Sequence, residues 1–168
     1  MKKYILFSPV ALALALAVFL VPTGCSTFHE STPTTTLPAH TFVGVSLGDS
    51  TQDVLSVLGQ PDATYSEFDE LIYEYDSTMR AVVFQKPTNE VIAVISANGN
   101  DQLVNLRTGV HADHVKNLLG DPDRTKTGDI TYMWLYDRYN ISLSFYNSND
   151  ACVGVVLYWP GRFDVDPE

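Results

Sequence analysis

The stretch V-L-S-V-L-G-Q-P-D, Val54 to Asp62, returns as V-K-N-L-L-G-D-P-D, Val115 to Asp123, 61 residues later. From Val45 onward the 168-residue chain superposes on itself at this shift without a gap. Identities fall at Gly48/Gly109, Val54/Val115, Leu58/Leu119, Gly59/Gly120, Pro61/Pro122, Asp62/Asp123, Thr64/Thr125, Tyr75/Tyr136, Asp76/Asp137, Phe84/Phe145 and Val94/Val155. These positions punctuate structure, so the pattern reads as an internal duplication. Two small units that each bury little are expected to fold together.

Each copy has a physical reading. Ser50 with Asp53 three residues on marks a helix start, and Val54, Val57 and Leu58 form one apolar stripe. Gly59 suits the residue after the helix, and Pro61 prevents its resumption. The second copy repeats this with Val115, Leu118, Leu119, Gly120 and Pro122. Each helix precedes three strand candidates: Leu71–Tyr75, Arg80–Gln85 and Val91–Ser96, then Tyr132–Tyr136, Ile141–Tyr146 and Cys152–Trp159. The predicted fold is α+β: a tandem repeat of a short helix plus a three-stranded antiparallel meander, with the helices on one face of the sheet. Repeat 1 spans 42–98, repeat 2 spans 99–160, and 161–168 is a C-terminal tail.

The N-terminus reads as an export signal. Met1-Lys2-Lys3 precedes an apolar run from Tyr4 to Val21, and V-P-T-G-C comes next. Gly24-Cys25 resembles a bacterial lipobox, which makes 1–24 a lipoprotein signal peptide and Cys25 the lipidated residue. An uncleaved anchor is the competing reading, since the run could just span a bilayer. Residues 25–41, rich in Ser, Thr and Pro, form a tether. Lipidation of Cys25 leaves Cys152 without a disulfide partner, as a small buried hydrophobe. The formal net charge is −10, and about −12 once Lys2 and Lys3 are removed, which excludes nucleic-acid binding.

The pattern G-x-[ST]-x-x-x-V-x-x-x-L-G-x-P, an aromatic Y/W-x-Y strand, a strand ending in Phe and V-x-x-V resembles the SmpA/OmlA (BamE-like) outer-membrane lipoprotein domain. Its residues here are Gly48, Ser50, Val54, Leu58, Gly59, Pro61, Tyr73, Tyr75, Phe84, Val91 and Val94. Two such units in tandem are similar to the β-lactamase inhibitor protein (BLIP-like) fold. The resemblance implies helices on one face of an antiparallel sheet, two sheets side by side, and an outer-membrane lipoprotein facing the periplasm.

No reaction chemistry is legible. His111 and His114 in H-A-D-H sit at a helix start without a further ligand cluster, so no metal and no cofactor is expected. Asp62 and Asp123 come directly after the prolines as turn formers. Strand alternation turns Tyr73, Tyr75, Val82, Phe84, Ile92 and Val94, with Trp134, Tyr136, Leu143, Phe145, Val153 and Val155, toward the helices. The other face then carries Ile72, Val83, Ile95, Met133, Leu135, Tyr146, Val156 and Tyr158, too apolar to meet water. A partner surface for an envelope protein is the expectation; cover by tether or tail, or self-association, would also account for it. The functional expectation is a non-enzymatic, lipid-anchored envelope protein acting as a binding or adaptor module, with inhibition of a periplasmic or extracellular enzyme as the alternative.

Overall fold

The computed structural model describes residues 37–163. The signal peptide, Cys25, most of the tether and residues 164–168 lie outside the described residues.

Both helices start and stop where short-range chemistry dictates. Helix α1, Thr51–Leu58, has Ser50 as its cap: the Asp53 N–H donates to Ser50 Oγ at 3.3 Å, and the Ser50 N–H donates to the Asp53 carboxylate at 3.0 Å. Helix α2, Ala112–Leu119, is capped by His111, whose Nδ1 accepts the Asp113 N–H at 3.3 Å. Gly59 and Gly120 end the helices at φ 80° each, a conformation open to glycine and costly for a side chain.

The recurring nonapeptide also sets how the chain leaves each helix. Tyr75 Oη donates to the Gly59 carbonyl at 3.3 Å, and Tyr136 Oη to that of Gly120 at 3.1 Å. Asp62 accepts the Ser77 N–H, and Asp123 the Arg138 N–H, at 3.3 and 3.1 Å. Each Asp therefore ties a helix exit to the 3-10 turn at Asp76–Thr78 or Asp137–Tyr139.

The strands are β1 Thr41–Phe42, β2 Val45–Ser46, β3 Ala63–Glu67, β4 Glu70–Tyr75, β5 Arg80–Gln85, β6 Glu90–Ser96, β7 Arg124–Thr127, β8 Thr131–Tyr136, β9 Ile141–Tyr146 and β10 Cys152–Tyr158. β1 and β2 form a small ribbon. The other eight make one antiparallel sheet in the order β3-β4-β5-β6-β10-β9-β8-β7. Its centre is the β6–β10 pair, in register from Ser96↔Val155 to Ala93↔Tyr158.

This corrects the expected fold class. Among the described residues the protein is mostly sheet, with two eight-residue helices, and not a repeated helix plus three-stranded meander with sheets lying side by side. The unforeseen strands β3 and β7 form the two outer edges. Their residues are mostly exposed and polar, so no alternation marks them.

The core lies between the helices and one sheet face. Val54, Ala112, Val115 and Leu119 from the helices and Phe42 and Val45 from the ribbon meet Tyr75, Val82, Phe84, Tyr136, Leu143 and Phe145. A second correction concerns β6 and β10. A bulge in each skips one residue: Phe84 pairs with Val91 next to Val83 with Ala93, and Phe145 with Cys152 next to Ser144 with Gly154. Val91 and Cys152 consequently join this core in place of Ile92 and Val153.

Candidate functional site

His111 is the cap of α2, and His114 is exposed on it. Among the described residues, no three His, Cys, Asp or Glu side chains gather as metal ligands would. Cys152 is buried, and burial pushes its thiol up to about 12. A thiol so placed is little ionised near neutrality. Reaction of the folded protein with a maleimide at pH 7.5 should label Cys152 at least tenfold more slowly than in urea, as read by mass spectrometry.

Three arginine clasps carry the strongest electrostatics. Arg80 grips Asp101 through Nε at 2.6 Å and Nη2 at 2.5 Å, and Ser96 Oγ donates to the same carboxylate at 2.6 Å. Burial raises the Asp101 carboxyl, but the bonds from Arg80 and Ser96 outweigh it and hold it below its ordinary value. Arg124 grips Asp137 at 2.7 and 2.8 Å, and the buried Tyr158 hydroxyl donates to Asp137. Arg124 first, then Tyr158, draws the Asp137 carboxyl down against burial. Arg138 pairs with Asp123, donates to the Leu119 carbonyl at 3.1 Å, and lies over the Tyr139 ring at 4.8 Å. A cation at the C-terminus of α2 complements the helix dipole.

The sheet face turned away from the helices is largely buried. Ile72, Val83, Met133, Leu135, Val156 and Tyr158 are each at most 5% exposed. Ile95 and Tyr146 are half-buried. None of the eight belongs to the core shared with the helices. Glu74 and Ser142 are buried on the same face, by their pairing with Ala81 and with Leu135 and Val156. Ser142 Oγ has no hydrogen-bond partner. Six of the eight are thus closed off from water, and only Ile95 and Tyr146 are partly exposed.

The large exposed apolar side chains lie elsewhere. Phe68 is 75% exposed in the two-residue tip between β3 and β4, and Ile130 is 71% exposed in the tip between β7 and β8. Both tips belong to the outermost hairpins, one at each edge of the sheet. Each is latched from behind by the adjacent turn. Lys86 N–H donates to the Asp69 carbonyl at 2.7 Å, and Lys86 Nζ to the Phe68 carbonyl. At the other edge, Asn147 Nδ2 donates to the carbonyls of Gly128 and Asp129 at 3.0 Å, and its N–H to that of Ile130 at 2.9 Å.

No protein-family model matches the chain, and no curated protein does. Solved structures do. An extracellular protein containing a SCP domain from Bacillus anthracis aligns with 68% of this chain at 13% identity and a TM-score of 0.50. A cysteine-rich secretory protein from Staphylococcus aureus aligns with 73% at 16% identity and a TM-score of 0.53. A DUF4309 family protein from Bacillus subtilis aligns with 66% at 18% identity and a TM-score of 0.46, over 78% of its length. The chain spans 44% and 47% of the first two proteins. At such identities the likeness is one of fold. The two likenesses at a TM-score of 0.50 or above overturn the family reading: they are to an SCP-domain protein and a cysteine-rich secretory protein, and neither the SmpA/OmlA (BamE-like) nor the BLIP-like resemblance is supported.

Neither tip was legible because β3 and β7, the outer strand of each hairpin, leave no alternation in the sequence. A signal was present in Glu67-Phe68-Asp69-Glu70, a large apolar residue set among acids. Such a residue has nothing local to bury against.

Proposed function

We propose that this chain is an exported, lipid-anchored protein of the cell envelope whose folded domain binds another protein and performs no reaction. The observation that carries this reading is the pair of large apolar side chains, Phe68 and Ile130, displayed on latched hairpin tips. Apolar groups held outward on latched turns at two edges cost solvation without adding to the core, and partner surfaces use such groups as anchors. Anchoring is assigned to Cys25 and reach to the tether. The descriptions of two fold neighbours, extracellular and secretory, agree with export.

The test is photo-crosslinking in the cells that make the protein. A photo-reactive residue replaces Phe68 or Ile130, with Asp62 as control. The expected result is one discrete adduct from a tip and none from Asp62, reproduced with both purified proteins. An enzyme as partner, with its activity reduced in the purified mixture, would turn the binding module into an inhibitor. No adduct from either tip would sink the binding reading. Anchoring is checked separately: Cys25→Ser should move the protein from the membrane to the soluble fraction, and unchanged partition would refute lipidation at Cys25.

A further inference from the structure

The two tips differ in backbone. Among the described residues, eight non-glycine residues have positive φ. Seven have a positive-φ counterpart 61 residues away: Val43 with Val104, Gly44 with Asn105, Met79 with Asn140, and Asn89 with Asp150. Phe68, at φ 39°, has none; the residue at that shift is Asp129, which is not among them. The left-handed turn at Phe68 is therefore a local feature of one edge, not a requirement of the framework. Val43 and Val104 offset their strain by packing against the core. Phe68, three-quarters exposed, has no such compensation.

Glu67 and Glu70 face each other across the β3–β4 ladder. Glycine or asparagine is the usual occupant of a positive-φ position in a two-residue hairpin turn. Here an aromatic residue occupies it, within Glu67, Asp69 and Glu70. A strained aromatic residue on an exposed tip, latched by Lys86, points to a task outside the fold.

We propose that the β3–β4 tip is a preorganised docking finger. Phe68 enters an apolar pocket on a protein partner, and lysine or arginine residues on the pocket rim meet the carboxylates of Glu67 and Asp69. Charge complementarity selects this occupant: an anionic bilayer would repel a tip that carries Glu67 and Asp69 on a chain of net charge −10. A latched tip loses little conformational freedom on docking, which favours affinity.

This inference rests on the protein-binding reading, and its test separates the two. In the lipidated full-length chain, p-benzoylphenylalanine replaces Phe68 or, separately, Ile130, and the crosslinked protein is identified and purified. Expected are an adduct at Phe68, a Kd weakened about tenfold or more by Phe68→Asn, and an unchanged or higher Tm for that variant. Glu67→Gln with Asp69→Asn should also weaken binding and flatten its dependence on sodium chloride. Several results would overturn the finger. Adducts at Ile130 alone would remove it while leaving the binding reading intact, and adducts at neither tip would remove both. A lower Tm with unaltered Kd for Phe68→Asn would make Phe68 structural. Binding indifferent to salt and to the neutralised acids would remove the basic rim. Adducts with lipid, or co-sedimentation with phosphatidylcholine vesicles that Phe68→Asn abolishes, would replace the protein partner by a membrane.

Discussion

Phe145→Ala should lower the free energy of unfolding by about 4 kcal/mol, the cost of deleting a large aromatic from a closed core. Phe145 is fully buried near the C-terminal end of β9. Its ring stacks on Tyr132 at 5.1 Å and lies 5.0 Å from Trp134 at a tilt of 58°. It also faces Cys152 across the β9–β10 ladder, beside the bulge. Truncation removes the ring's own transfer energy and leaves a cavity among aromatic groups too large to collapse into it. Urea unfolding should show the midpoint falling by about 2 M at a slope typical for a domain of this size. A midpoint within about 0.5 M of the parent protein would mean that the aromatic cluster is not part of the cooperative core. Phe84, packed edge-on to Tyr73 at 4.8 Å, is the corresponding residue of the other half and should respond in the same direction.

Asp101→Ala should cost about 3 kcal/mol, because it strands the Arg80 guanidinium beside the sheet without its partner. Asp101 is buried, and Arg80 is only partly accessible. The pair, with Ser96, fastens the connection between β6 and α2 to the sheet, and Leu103 and Leu106 of that connection enter the core. Loss of the carboxylate should therefore loosen Leu103 and Leu106, which faster amide exchange there would report. The same group sets a pH dependence. The folded pKa of Asp101 lies below its unfolded value, so its contribution is complete above the ordinary aspartate range near 4. It fades as the pH falls through the folded value. Asp137, held down by Arg124, acts in the same sense. Stability of the parent should decline from pH 5 toward pH 2, and Asp101→Ala should show a shallower decline. Parallel profiles would refute the assignment.

Legibility in the sequence divides along physical lines. β4, β5, β8 and β9 were legible because they are short runs rich in aromatic and β-branched residues between turn signals, and the strands bury these residues on both faces. Helix ends were legible because capping is short-range: Ser50 with Asp53, then Gly59 and Pro61, suffice. His111 was visible as a helix start, and its ring nitrogen serves as the cap. β3 and β7 were not legible, since an edge strand is held by backbone bonds that any polar residue can make. The bulges at Ile92 and Val153 were equally hidden, because one extra residue in a β-branched run leaves the composition unchanged while exchanging its faces.

The candidate site was less legible still. Alternation separated Met133, Leu135, Val156 and Tyr158 from the helix face, but it could not say whether that second face meets water. Only the folded chain shows these side chains closed off and the large exposed groups displaced to the tips at Phe68 and Ile130. The sequence by itself determined where helices stop, which strands alternate, and that Asp62 and Asp123 belong to turns, because all of these depend on residues a few positions apart. The tertiary structure alone decided that eight strands make one sheet, that Asp101 meets Arg80 across 21 residues, and that Phe68 stands outward at an edge. Those outcomes depend on which surfaces meet after the chain has folded, and no local pattern encodes that.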